Sequence, residues 1–84
     1  MSRCAASART APAFVAQTGE AKSCVDRRAW IEAAARAARA QGCTFCRATY
    51  DTARELTLLE GWLTRPERQP EPHFQLTRGA AGVR

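Results

Sequence analysis

The run Gly42-Cys43-Thr44-Phe45-Cys46 divides the chain at a sharp corner, and what flanks it sets the expected fold. Before the corner, Arg27 to Gln41 contains no glycine, no proline and a single β-branched residue, so helix propensity is high. Ser23 followed by Asp26 places a hydroxyl with an acid three positions on, the pattern that caps a helix N-terminus, and Asp26 also suits the positive end of the helix dipole. Gly42 is the expected stop. These signals predict a helix over 24–41. Its charged stripe is Arg28, Glu32, Arg36 and Arg39, and an opposite stripe holds Trp30, Ala33, Ala34, Ala37 and Gln41.

Beyond the corner, Thr44 can cap a second helix over 45–64. Phe45, Thr49, Thr52, Leu56, Leu59 and Leu63 recur in alternating steps of four and three, a seam suited to packing on another helix. Pro66 forces an end at or before Arg65. The expected fold class is therefore all-α: an antiparallel helical hairpin, about 24–41 and 45–64, with flexible N- and C-terminal arms. The expected organisation is a basic arm at 1–22, a hairpin domain at 23–65 and a Pro/Gly-rich tail at 66–84. Phe14 and Val15 are the only sizeable apolar pair in the first arm, and His73-Phe74-Gln75-Leu76 is an apolar island in the tail, able to add a strand or to dock.

Such a hairpin would have a thin interior. The hydrophobic fraction is 45%, but alanine supplies 18 positions, whereas Leu, Ile, Val and Phe together supply 12. Alanine buries little area, and buried area drives folding. The sequence thus predicts completion from outside, by a homodimer, a larger complex, a metal or a nucleic acid. The formal charge of +5, from 13 basic and 8 acidic residues, favours a nucleic acid or an acidic protein surface as partner. Lys22 is the only lysine. No stretch has the length of a membrane span, no secretory signal is evident, and the thiols fit a reducing cytoplasm.

The corner supports three readings. In the first, Ala38, Gly42, Thr44 and Ala48 occupy the small-residue and turn positions of a helix-turn-helix, where close packing of two helices demands them. Arg27, Arg28, Arg36, Arg47, Thr49 and Arg54 are then the nucleic-acid-binding candidates, with Arg47 placed to fork onto a guanine. Against the pattern, Asp51 stands where a buried aliphatic is usual. A plain helical hairpin demands the same stop and cap.

In the second reading, Cys43 and Cys46 are half of a tetrahedral metal site. The spacing Cys24-x18-Cys43-x2-Cys46, with Gly61-Trp62-Leu63-Thr64 and Glu67-Arg68 further on, resembles the WhiB-like iron–sulfur regulators over residues 24–68. That resemblance implies a cluster held by Cys24, Cys43, Cys46 and a fourth cysteine at position 52, which here is Thr52. Zinc or an iron–sulfur cluster is the cofactor the motif would take; the rest of the sequence asks for none. In the third reading, a dithiol at a helix start has its thiol pKa lowered by the dipole, as thiol–disulfide exchange requires. Small apolar filling at a tight corner also accounts for both cysteines.

No catalytic constellation accompanies these features. His73 is the single histidine, and no glycine-rich phosphate loop exists. The expected function is that of a small, non-enzymatic, basic regulatory protein, DNA-binding through the corner. The alternative is an adaptor or inhibitor that blocks a site on a larger complex, binding through Trp30, Leu56, Leu59, Trp62 and Leu63.

Overall fold

A computed structural model describes residues 11–74. Its elements run β1 (Phe14–Thr18), α1 (Cys24–Ala40), β2 (Phe45–Asp51) and β3 (Leu56–Trp62). The strands form one antiparallel sheet of order β1-β3-β2, so the last strand in sequence is the central one. The described residues form an α+β fold with one helix, not the all-α hairpin that the seam predicted.

The helix forms as its local chemistry dictates. The Ser23 hydroxyl accepts from the Asp26 amide at 3.0 Å, and Gly42 turns the chain at φ +97°. The Gln41 and Gly42 amides donate to the carbonyls of Ala38 and Arg39. The small residues Ala34 and Ala38 are fully buried, which lets α1 lie close on the sheet.

The second predicted helix, 45–64, is instead a β-hairpin. Phe45, Thr49, Tyr50, Thr57 and Trp62 are residue types that prefer the pleated backbone. Asp51 also closes a turn: its Oδ1 accepts from the amides of Ala53 and Arg54 at 3.1 and 3.2 Å. Glu55 completes the reversal at φ +56°, a left-handed conformation uncommon for a non-glycine residue. The same geometry displaces the Thr44 cap. The Thr44 amide and hydroxyl donate to the Trp62 and Leu63 carbonyls at 2.9 Å each and join the corner to the end of β3.

Phe14-Val15, assigned by sequence to a flexible arm, opens strand β1, which pairs with β3 from Phe14↔Gly61 to Thr18↔Thr57. Strand β2 pairs with the opposite side of β3 from Phe45↔Trp62 to Asp51↔Leu56. Phe14, Ala16, Leu59 and Cys43 pack with Ala34 and Ala38 to form the core between sheet and helix, with Trp30, Ile31 and Cys46 against its margin. Gly61 sits beneath this packing. A Cβ there would lie 2.9 Å from the Cys43 Sγ and 3.1 Å from the Ala38 Cβ. Only glycine lets the helix end and the corner settle on the sheet.

The pleat sends Leu58, Glu60 and Trp62 to the face away from α1, together with Gln17 of β1 and Phe45, Arg47 and Thr49 of β2. Gln17, Leu58, Glu60 and Trp62 are all buried, so β3 is enclosed on both faces. Residues 63–74 form neither helix nor strand; Gln75 and Leu76 of the apolar island lie outside the described residues. Among the described residues, no helix is long and apolar enough to cross a membrane.

Candidate functional site

Two neighbouring strands place an ion pair on the sheet face opposite α1. Arg47 and Glu60 are register partners across β2 and β3. The Arg47 Nη2 lies 2.7 Å from the Glu60 Oε1, and the side chains are 16% and 1% exposed. The pair also grips the segment that follows β3. Arg47 Nη1 donates to the Gln69 side-chain carbonyl at 2.8 Å and to the Pro70 backbone carbonyl at 2.7 Å. The His73 amide donates to the Glu60 Oε2 at 3.2 Å. The guanidinium stands 5.4 Å from the Trp62 ring centroid, and Arg65 lies 5.0 Å from that of Phe45. Phe45 and Trp62 meet in a tilted contact at 5.7 Å. A buried charge without partners would cost several kcal/mol; this pair satisfies both carboxylate oxygens and one end of the guanidinium, though Arg47 Nε is buried without a partner.

This arrangement takes Arg47 out of the role that the corner motif gave it. Among the described residues there is no second helix to enter a groove, and the arginine is engaged within the fold. The remaining nucleic-acid candidates scatter. Arg28 and Arg36 are exposed on α1, Thr49 lies on the opposite sheet face, and Arg54 sits in the turn, 3.7 Å from Asp51. Arg27 is stacked 4.3 Å over the Tyr50 ring. Charge is balanced too: residues 11–74 carry nine basic and eight acidic side chains, and the excess comes from Arg3, Arg9, Arg78 and Arg84 outside them. The partner-binding candidates divide similarly. Leu59 and Trp62 are interior, Trp30 and Leu56 are half-buried, and only Leu63 is largely exposed, at 57%.

The cysteines do not assemble the set that the iron–sulfur resemblance implies. Cys24 opens α1 and Cys43 follows its end, which separates them by about 25 Å along a helix of 17 residues. Among the described residues, no three His, Cys, Asp or Glu side chains converge on a common point. Nor is the dithiol at a helix start. Cys43 lies in the corner loop and Cys46 in β2. Burial pushes the Cys43 thiol pKa up, and the neighbouring Cys46 adds to the shift, the reverse of an activated thiol.

One feature of the sheet was not legible as a site. Strand β2 is an edge: among the described residues no strand pairs with its outer side. It has seven residues and neither Pro nor Lys; its inward-turned Arg47 is neutralised by Glu60. On its helix-facing side Ala48 is exposed and Tyr50 is 41% exposed, because α1 lies mainly over β3. Comparison with protein-family models, with curated proteins and with solved structures returned no match.

Proposed function

We propose that the protein is a non-enzymatic adaptor or inhibitor that binds a larger protein by strand addition along β2. The observation that carries this reading is the unpaired edge from Phe45 to Asp51, flanked by the exposed Ala48 and by Tyr50, 41% exposed beneath Arg27. Such an edge offers a row of main-chain donors and acceptors to an extended segment, and flanking side chains supply selectivity. The near-neutral body supports a protein partner over a polyanion, since phosphate contacts need clustered, uncommitted cations.

The test is selection of displayed random peptides on the immobilised full-length chain. Binders should resist high salt and lose roughly tenfold or more in affinity on Ala48→Arg, which places a bulky charge at the edge. Binders indifferent to Ala48→Arg, or retention of duplex DNA with a steep salt dependence and no peptide binder, would refute the reading.

A further inference from the structure

The sheet face opposite α1 carries a second surface, independent of the β2 edge. Glu60 is buried and Arg47 is 16% exposed, whereas most of the segment they hold lies open: Glu67, Arg68, Gln69, Glu71, Pro72 and His73 are exposed, and Pro66, Pro70 and Phe74 are half-buried. A strap serving only to close a core would bury apolar side chains. This one half-buries Pro66, Pro70 and Phe74 and is fastened besides by polar groups, two of them main-chain groups three residues apart, the Pro70 carbonyl and the His73 amide. A buried ion pair is also a poor device for stability alone, because apolar residues of the same size generally do as well or better. Here it is built so that one member presents a donor and the other an acceptor to an extended chain. Pro66, Pro70 and Pro72 restrict the held segment to extended backbone, which lowers the entropy lost on seating it.

We propose that this face is a site for an extended, proline-bearing peptide, read mainly through its main chain by Arg47 and Glu60, and that residues 69–73 are its resident occupant held in cis. Arg65 over Phe45 and the Gln69 carbonyl on Arg47 add the side-chain part of the recognition. An incoming segment of the same chemistry makes the same contacts, so exchange needs no rearrangement of the sheet. Its apparent affinity is lowered by the fraction of molecules in which the resident segment is seated.

The experiment titrates the full-length, isotope-labelled chain with a capped peptide of the sequence of residues 65–74, followed by NMR. On saturation the His73 amide should move to its free-chain position while the Trp62 indole stays at its bound position, because the site is refilled. A scrambled peptide should leave both signals at their bound positions. The Gln69→Ala variant loosens the resident segment without touching the core, and its apparent affinity for the peptide should rise roughly three- to tenfold. A purely structural strap predicts a lower melting temperature for Gln69→Ala and no displacement of His73 in either protein; that result would overturn the proposal.

Discussion

Removing Glu60 tests whether the Arg47–Glu60 pair is a buried element of the fold. Glu60→Ala strips Arg47 of its countercharge and leaves a guanidinium with 16% exposure, whose Nε is already without a partner. The His73 amide loses its acceptor as well. Breaking a buried pair from one side costs about 3–5 kcal/mol. A chain of 84 residues has a total stability of roughly 4–12 kcal/mol, so the variant should lose a large part of it. Arg47→Ala should cost a similar amount, since it leaves the buried Glu60 carboxylate without a countercharge. The double variant Arg47→Met/Glu60→Leu removes both charges at similar volume and should recover to within about 1–2 kcal/mol of the parent. Urea denaturation of the four proteins, followed by tryptophan fluorescence, closes the cycle. Single substitutions costing less than about 1 kcal/mol, or strictly additive effects, would refute the buried-pair account.

Other substitutions probe the packing and the turn. Gly61→Ala should destabilise by about 1–3 kcal/mol, because its Cβ meets Cys43 and Ala38 at 2.9 and 3.1 Å; a denaturation midpoint equal to that of the parent would contradict this packing. Glu55→Gly should stabilise by about 0.5–1 kcal/mol, since φ +56° costs a side-chain-bearing residue and not glycine. The Lys22–Glu55 contact that it removes is exposed, at 3.6 Å, and contributes little. The raised Cys43 pKa keeps the thiol neutral in the folded state, so the folded chain binds more protons than the unfolded one above pH 9.0. Stability is unaffected below that value and falls as pH rises through it; Cys43→Ala should flatten the alkaline limb of the stability profile. Alkylation at neutral pH should modify exposed Cys24 well before Cys43.

The helix was legible because its signals are local. Ser23, Asp26 and Gly42 act within a few residues of themselves, and the structure places the helix at Cys24–Ala40 against an expected 24–41. The second half was not, because β3 is enclosed on both faces. With Leu58 and Trp62 on one side and Leu59 on the other, no clean alternation survives, and the leucines fall by coincidence on helical spacing. The turn contains no glycine, proline or asparagine to mark it. A hairpin signal was nonetheless present. Asp51 suits a side-chain-capped turn, and Arg47 and Glu60 lie equidistant from the turn's centre, where a hairpin brings opposite charges face to face. Strand β1 is short and rich in small and polar residues, and forms through pairing with β3, from Phe14↔Gly61 to Thr18↔Thr57, contacts remote in sequence.

The same remoteness hid the candidate sites. The grip on Pro70 and His73 joins three separated segments, and an edge strand exists only once sheet order is known. What the composition did foreshadow is the modest interior: three of the buried apolar residues are alanines (Ala16, Ala34 and Ala38), and Trp62, Leu58 and Leu59 supply much of the remaining volume.

The proposed strand addition along β2 stands against a helical corner that reads DNA. Amide-shift mapping of the labelled full-length chain against a selected peptide and, separately, against duplex DNA tests it most directly. Strand addition gives peptide-induced shifts concentrated over Phe45–Asp51, and no saturable shifts with DNA at moderate salt. DNA-induced shifts centred on Arg28, Arg36 and the 42–47 corner, with β2 unaffected by peptide, would contradict it.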